Sequence, residues 1–408
     1  LMAIDNGCQG AMMAPTEILA QQHYASLKEW AEPIGVKVAL LTGSTRAAAR
    51  RKIHEGLLSG EIDIVVGTHA LIEDNVRFHL LGITVIDEQH RFGVAQRGKL
   101  WHKDSKVPHV LVMTATPIPR TLAMTVYGDL DVSVIDELPP GRKPITTLLR
   151  YDSNRMEVDR LIYSQLREGR QVYIVYPLIS ENEKLELKSL EEGYRRTCDT
   201  FPGYRVCFVH GKLTPEAKDY QMNLFVSGEA RIMVATTVIE VGVNVPNASV
   251  MVIENAERFG LSQLHQLRGR VGRGADQSYC VLMGKMKSGA DTKKRLAIMT
   301  ETTDGFLISE ADMKIRGPGD MEGTQQSGLA FNLKVADLAR DGQILTRARE
   351  AALAILRGNP SLLSPGCVAT APAPGDIAPI AVSGRSVEVL ANELRLRFSK
   401  TIDWSQIS

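Results

Sequence analysis

Cysteine is scarce in this chain of 408 residues. Cys8, Cys198, Cys207, Cys280 and Cys367 are scattered, with no C-x-x-C pair. That excludes a disulfide framework and a Cys-based zinc site, and it fits a reducing cytoplasm. No apolar run approaches the roughly 18 residues of a membrane helix. Net charge is almost absent, with 48 Lys+Arg against 47 Asp+Glu. Bulk charge therefore announces no nucleic-acid partner, and any basic surface must be local. There is no G-x-G-x-x-G, which argues against a small-molecule dinucleotide enzyme. There is also no G-x-x-x-x-G-K-[ST]: Gly98-Lys99, Gly211-Lys212 and Gly284-Lys285 are each followed by Leu or Met. Leu1 is not a start methionine, and Leu1–Ile4 has no basic n-region. The chain reads as beginning inside a domain, a fragment or partial gene product.

Hydrophobic residues make up 44% and charged residues 23%, an ordinary globular balance. This length suggests two or three domains and a large core. Short apolar runs at Gly10–Ala14, Val36–Leu41, Ile62–Val66, Ile83–Ile86 and Val110–Met113 read as buried parallel strands. Thr16–Trp30 and Thr45–Leu58 between them have helical spacing and open on Thr caps. Such alternation implies βαβ units and a doubly wound sheet. Asp136–Pro144 (DELPPGRKP) reads as a linker. A second α/β unit follows, with strands expected at Val172–Tyr176, Arg205–Val209, Arg231–Ala235, Ser249–Ile253 and Tyr279–Met283. The halves have the look of diverged copies of one unit. Helices are expected at Asp291–Thr302 and Val335–Leu356, a Gly-rich loop at Gly317–Gly328, and a Pro/Ala/Gly-rich surface segment at Ser364–Gly384.

Three constellations carry chemistry. In Ile83-Thr-Val-Ile-Asp-Glu-Gln-His90 an apolar strand ends in two carboxylates. Open parallel sheets bind ligands at their carboxyl edge, where one carboxylate can hold Mg²⁺ and the other orient a water. Met113-Thr-Ala-Thr-Pro-Ile-Pro-Arg120 follows the next strand and suits a sensor loop. Gln263-Leu-His-Gln-Leu-Arg-Gly-Arg-Val-Gly-Arg273 spaces Arg268, Arg270 and Arg273 with glycines. Glycines admit a phosphate to the backbone and guanidinium forks match its oxygens. Each motif alone also fits a solvated turn or a surface helix.

Taken in this order, the motifs resemble superfamily 2 helicases and translocases. Ala235-Thr-Thr-Val-Ile-Glu-Val-Gly-Val-Asn-Val-Pro-Asn247 resembles motif V, Ala14-Pro-Thr-Glu-Ile-Leu-Ala-Gln-Gln-His23 motif Ia, Leu41-Thr-Gly-Ser-Thr45 a further strand-contact loop, and Gly67-Thr-His-Ala-Leu71 motif Ib. Asp87-Glu-Gln-His-Arg-Phe-Gly-Val-Ala-Gln-Arg97, Thr116-Pro-Ile-Pro-Arg-Thr-Leu-Ala-Met124 and Asp136-Glu-Leu-Pro-Pro-Gly-Arg142 are similar to the RecG family of bacterial branch-migration helicases. So are Asp304-Gly-Phe306, Ile315-Arg-Gly-Pro-Gly-Asp320 and Gly323-Thr-Gln-Gln-Ser-Gly328, a translocation region shared with transcription–repair coupling factors. The resemblance covers about residues 1–350.

The resemblance implies an α/β fold of two RecA-like parallel-sheet domains plus a helical hairpin and loop for translocation. Its domains would be 1–142, 143–290, 291–345 and a C-terminal helix and tail at 346–408. Asp87 would hold Mg²⁺, Glu88 position the hydrolytic water, and His90, Thr114 and Thr116 couple the nucleotide state to DNA. Gln266, Arg270 and Arg273 would reach the γ-phosphate, with Arg273 the better finger. Glu240, Gly242 and Asn244 would line the cleft; many superfamily members carry Asp where Asn244 stands. Pro15, Thr16, Thr42, Gly43, Thr68, His69, Thr236 and Thr237 would meet the DNA backbone without reading sequence. Arg295, Arg316, Gln325 and Gln326 match the translocation region, with Gln325 where relatives often have Arg. Arg46, Arg50, Arg51 and Lys52 read as a solvated helix face, and Phe92 and Phe306 as packing residues. ATP and Mg²⁺ would be the cofactors, branched or forked DNA and a single-strand binding protein the partners, and the protein a cytoplasmic monomer. A coupling-factor type translocase and a non-catalytic DNA-binding fragment are the rival readings.

The family's phosphate loop and wedge domain are not in this sequence. Without the loop's amides and lysine to cradle phosphates, the 408-residue polypeptide alone is expected to hydrolyse ATP negligibly. A phosphate-release assay with duplex and forked DNA checks this; robust DNA-stimulated turnover would refute it.

Overall fold

The computed structural model describes residues 1–88, 107–115, 131, 133–135, 137–177, 183–236, 245–274, 276–286, 289–316 and 342–358. The chain divides into two compact units, one of Leu1–Pro117 with Ile135–Ile315, the other of Ile118–Val134 with Arg316–Ser408. The described element of the second unit is a helix, Gly342–Gly358. Everything else below belongs to the first.

That unit holds two sheets, parallel throughout their described pairings. In the first, β1 (Gln9–Met13), β2 (Val38–Leu41), β3 (Ile64–Gly67), β4 (Leu81–Ile86) and β5 (His109–Val112) lie in the order β2-β3-β1-β4-β5. In the second, β6 (Thr146–Tyr151), β7 (Gln171–Tyr176), β8 (Val206–Val209), β9 (Ile232–Thr236), β10 (Ala248–Ile253) and β11 (Tyr279–Gly284) lie in the order β6-β11-β10-β7-β9-β8. Read from the other edge, the second sheet repeats the first strand for strand and adds β6.

One buried side chain shows how deep the repetition goes. Gln9 opens β1, and its Nε2 donates to Leu57 O and Ile62 O at 2.9 and 2.7 Å. Its Oε1 accepts from His79 N at 2.8 Å. Gln171 opens β7, and its Nε2 donates to Phe225 O and Ala230 O at 2.5 and 3.1 Å. Its Oε1 accepts from Asn247 Nδ2. In each half an amide thus ties the end of one crossover helix and the turn after it to the start of the central strand.

The apolar runs do what two-sided burial demands. Along β7 and β10, Tyr173, Val175, Met251 and Ile253 face one core with Phe225 and Leu267, while Ile174, Val250 and Val252 face another with Ile162 and Leu190. In the first sheet Met13, Leu41, Val65 and Ile86 pack on Leu57 and Leu71. Each such side chain contributes roughly 1.5–3 kcal/mol of burial. At the carboxyl end of β10, Arg155 clasps the buried Glu254 at 2.5 and 2.7 Å.

Expected strands fall within two residues of the observed ones. Strand β6 was not foreseen; as an edge strand of Thr-Thr-Leu-Leu-Arg-Tyr it carries no long apolar run. Helix α9 (Gly305–Arg316) was also unforeseen; Asp304 Oδ1 accepts from Phe306 N at 2.7 Å and starts it. Two caps divide. Thr16 Oγ1 accepts from Leu19 N at the head of α2 (Glu17–Ala31). Thr45 does not cap α3 (Ala47–Ser59), whose N-cap is Arg46; its hydroxyl accepts from Thr42 N at 2.9 Å instead. Among the described residues the other α-helices are α1 (Met2–Asp5), α4 (Arg155–Arg167), α5 (Glu183–Thr200), α6 (Pro215–Val226), α7 (Leu261–Arg268), α8 (Ala290–Glu301) and, in the second unit, α10 (Gly342–Gly358). Residues 335–341 of the expected last helix, Gly317–Gly328 and Ser364–Gly384 lie outside the described residues. Among the described residues no helix is long and apolar enough to cross a membrane.

Gln171→Leu keeps the volume but takes the amide away from Ala230 O and from Phe225 O, of which Phe225 O still accepts from Gly228 N at 3.0 Å. At about 1–3 kcal/mol for an unsatisfied buried group, a loss on the order of 1–3 kcal/mol is expected. Urea unfolding checks it: the midpoint should fall with an unchanged slope, and Gln9→Leu should act in the same direction.

Candidate functional site

Strand β4 delivers the two carboxylates to the carboxyl edge of the first sheet. Asp87 N donates to Met13 O at 2.9 Å, holding the strand end beside β1. Asp87 Oδ1 accepts from Glu88 N at 2.9 Å, and Oδ2 bonds His23 Nε2 at 2.8 Å. Glu88 takes φ +49, a left-handed conformation that costs a non-glycine residue roughly 1–2 kcal/mol. The turn brings its Oε2 to Ala115 N at 3.3 Å. The acidic pair and the Thr-Ala-Thr loop, 27 residues apart in the chain, thus share a hydrogen bond.

The Gly-Arg run has divided roles. Helix α7 ends in Arg268, which is 3% exposed. Its Nη1 donates to Met299 O and Thr302 O at 3.0 and 2.9 Å, and its Nη2 to Thr303 O at 3.2 Å. Arg268 therefore ties the end of α8 to α7. His265 Nδ1 lies 3.0 Å from Arg268 Nη2. Burial and that guanidinium hold the imidazole down at about 4, neutral and able to accept. Beyond Gly269 the chain turns back toward β11. Arg270 is buried, whereas Arg273 keeps solvent access.

Tyr173 on β7 lies close to both arginines: burial pushes its hydroxyl pKa up, and Arg270 and Arg273 oppose that. Burial lowers the pKa of Arg273; Tyr173 opposes that, Arg142 adds to it, and the Glu88 carboxylate opposes it. Arg142, in the linker, donates from Nε to Gly272 O at 2.6 Å. Gly272 has φ +73, and a Cβ there would meet Ile145 Cγ1 at 2.8 Å. Pro139–Arg142 and Gly269, Arg273 and Gly274 line a cavity of about 510 Å³.

The expected DNA-facing loops follow β1, β2, β3 and β9 at carboxyl edges. Thr16 caps α2. Thr42 is buried with its hydroxyl 3.1 Å from Ser44 Oγ, and Gly43 and His69 are exposed. Thr68 and Thr236 are buried with hydroxyls that have no hydrogen-bond partner. Arg295 Nη2 turns onto Glu257 O at 3.2 Å. Thr114 and Pro15 lie at the same edge of the first sheet, and Gln266 on α7 is half-buried. His90, Thr116, Thr237, Glu240, Gly242, Asn244, Gln325 and Gln326 lie outside the described residues, as does the side chain of Arg316. His23 and Arg142 close two of the quoted motifs and Tyr173 lies in an expected strand, but none was given a role from the sequence; His23 and Arg142 take theirs from tertiary contacts with Asp87 and Gly272.

No group of three or more His, Cys, Asp or Glu among the described residues could hold a metal. That fits Mg²⁺, which binds through one or two carboxylates with waters and substrate phosphates rather than in a protein cage. Asp87 is the hard-oxygen donor the site supplies.

Comparison with known proteins places this geometry. Residues 1–125 match the DEAD/DEAH box helicase model and residues 154–275 the helicase conserved C-terminal domain. Residues 302–369 match the C-terminal part of domain 3 of the ATP-dependent DNA helicase RecG. The ATP-dependent DNA helicase RecG of Synechocystis sp. is 53% identical over 363 residues, 89% of this chain and 43% of the relative. The Bacillus subtilis RecG is 53% identical over 353 residues, 85% of this chain and 51% of the relative. The chain belongs to the RecG family.

It spans about half the length of the curated RecG proteins it matches. A solved RecG bound to a three-way DNA junction superposes with a TM-score of 0.66 and 46% identity, over 83% of this chain and 44% of that one. The Mycobacterium smegmatis helicase Lhr, bound to ssDNA and AMP-PNP, has a TM-score of 0.54 at 18% identity over 74% of this chain and 44% of that one, a likeness of fold alone. The two parallel sheets are the RecA-like pair of this RecG-family chain.

Arg268 and Arg273 should separate cleanly in a stability assay. Arg268→Ala orphans buried carbonyls and is expected to cost about 2–4 kcal/mol, whereas Arg273→Ala should stay within about 0.5 kcal/mol. Urea midpoints of the two variants measure the difference, and equal losses would contradict these roles.

Proposed function

We propose that this chain is the motor region of an ATP-dependent DNA helicase that acts on branched DNA and stalled forks. The observation that carries the proposal is the hydrogen bond from Ala115 N to Glu88 Oε2, which joins the acidic pair to the Thr-Ala-Thr loop at the carboxyl edge of the first sheet. Residues 1–142 and 143–290 would be the two motor domains, 291–345 the translocation hairpin and loop, and 346–408 a C-terminal helix and tail.

Asp87 would hold Mg²⁺, which when bound would neutralise phosphate charge. Glu88, carried by its left-handed turn, orients the attacking water and takes its proton. Arg270 and Arg273, with Gln266, meet the γ-phosphate from the other lobe and stabilise developing charge, an effect of roughly 10³–10⁵ in rate for such arginines. Thr114, Thr116 and His90 sense the nucleotide beside Glu88, and Glu240, Gly242 and Asn244 line the cleft. Closure of the two lobes on the triphosphate and their release after hydrolysis move the DNA-facing loops. Those loops are Pro15–Thr16, Thr42–Gly43, Thr68–His69 and Thr236–Thr237, with Arg295, Arg316, Gln325 and Gln326 following the duplex. The protein would work as a cytoplasmic monomer with single-strand binding protein as a partner. By itself, without a phosphate loop in its 408 residues, the polypeptide binds DNA without turnover.

A chimaera tests the motor reading: this chain joined behind the N-terminal half of the Bacillus subtilis RecG it resembles. Expected is ATP-dependent unwinding of a synthetic fork that falls at least about 100-fold in Glu88→Gln and in Arg273→Ala, in line with the transition-state effect of such groups. A folded chimaera with no DNA-stimulated ATP hydrolysis would sink the proposal.

A further inference from the structure

The basic run on α3 does not behave as one solvated face. Arg46, Arg51 and Lys52 are exposed, but Arg50 turns inward. Its Nη2 donates to Thr42 O at 2.8 Å and its Nη1 to Glu73 Oε2 at 2.9 Å. Glu73 directly follows the short helix His69–Ile72 that begins after Thr68. Arg50 therefore links the loop after β2 to the segment after β3.

From the other side, Glu17 in the first turn of α2 accepts from Ser44 N at 2.9 Å and from Ser44 Oγ at 2.7 Å. The loop after β1 is thereby tied to the loop after β2. Gly43 lets the two close together: a Cβ there would stand 3.3 Å from Glu17 Oε1. Within the loop, Thr42 N donates to Thr45 Oγ1. Glu17, Ser44, Thr42, Arg50 and Glu73 thus form one connected chain of hydrogen bonds across three consecutive loops at one sheet edge.

We propose that Glu17, Arg50 and Glu73 are positioning residues that lock these three loops into a single preformed surface for the DNA backbone. The proposal rests on the DNA-motor reading above. Loops that are ordered before binding lose less freedom when phosphate arrives, and that difference appears as affinity. Two of the positioning groups are carboxylates on an edge that meets a polyanion. Their oxygens are engaged by Ser44 and Arg50, so they act on the surface through the loops they hold.

This gives the test an unambiguous sign. Glu17→Ala and Glu73→Ala each remove a negative charge from the DNA-facing edge, so electrostatics alone would tighten binding. The brace requires the opposite. The full 408-residue chain is titrated with a fluorescein-labelled duplex, read by anisotropy between about 50 and 200 mM salt, where phosphate contacts dominate affinity. Both substitutions are expected to weaken binding by roughly 3–10-fold. The charge-neutral Ser44→Ala should weaken it in the same direction but less. Glu29→Ala, an exposed carboxylate elsewhere on α2, should leave it unchanged or slightly tighter. Arg50→Ala should weaken binding as well, and Arg50→Lys separates bracing from direct contact: lysine keeps the charge but not the fork, so binding stays as weak as in Arg50→Ala if Arg50 braces and recovers if it touches phosphate. Hydrogen exchange on β1 and β3 is read alongside, and protection there should not change. Undiminished binding by Glu17→Ala and Glu73→Ala, or full recovery in Arg50→Lys, overturns the brace while the motor reading stands. No binding by the unsubstituted chain at low salt overturns the motor reading and the brace with it.

Discussion

A carboxylate at the end of one sheet and a guanidinium in a turn of the other are each fixed by a backbone contact from a distant segment, and the site is organised by that constraint. Glu88 is held by a left-handed turn and a bond to Ala115 N. Arg273 is held by a glycine turn that Arg142 grips from the linker. The two groups stand at the ends of long-range contacts, Glu88 through the loop after β5 and Arg273 through the linker before β6.

The two halves reach this arrangement by repeating one architecture. Strand order, the opening glutamine of the central strand and the helix end it ties are the same in both. The same scaffold carries different chemistry at its margins. The first sheet presents carboxylates and hydroxyls after its strands, whereas the second presents arginines in the turn before β11. Arg268 shows how closely structure and chemistry sit together in that turn: two residues before Arg270, its buried guanidinium is spent on the end of α8, on Thr147 of β6 and on His265.

Most strands were legible because a strand buried on both faces must be largely apolar, as Ala248–Ile253 is apart from Ser249, whose hydroxyl donates to Gln165 Oε1. Edge strand β6 and helix α9 escaped, the first for want of burial and the second because its start is set by the Asp304 carboxylate. The basic run on α3 misled for a related reason. Spacing puts Arg50 near Arg46 on a helix face, but not the carbonyl and carboxylate that turn it inward.

Composition and motif order by themselves determined the class of this protein: alternating βα units, an acidic pair at a strand end, and a Gly-Arg run in the second half. These are local properties, readable because burial and turn chemistry act on neighbouring residues. Only the tertiary structure decided which side chains share a site. His23 reaches Asp87 across 64 positions, and Arg142 reaches Gly272 across 130. Chain separation carries no trace of such contacts, because they arise from how the sheets stack their edges and where the linker returns.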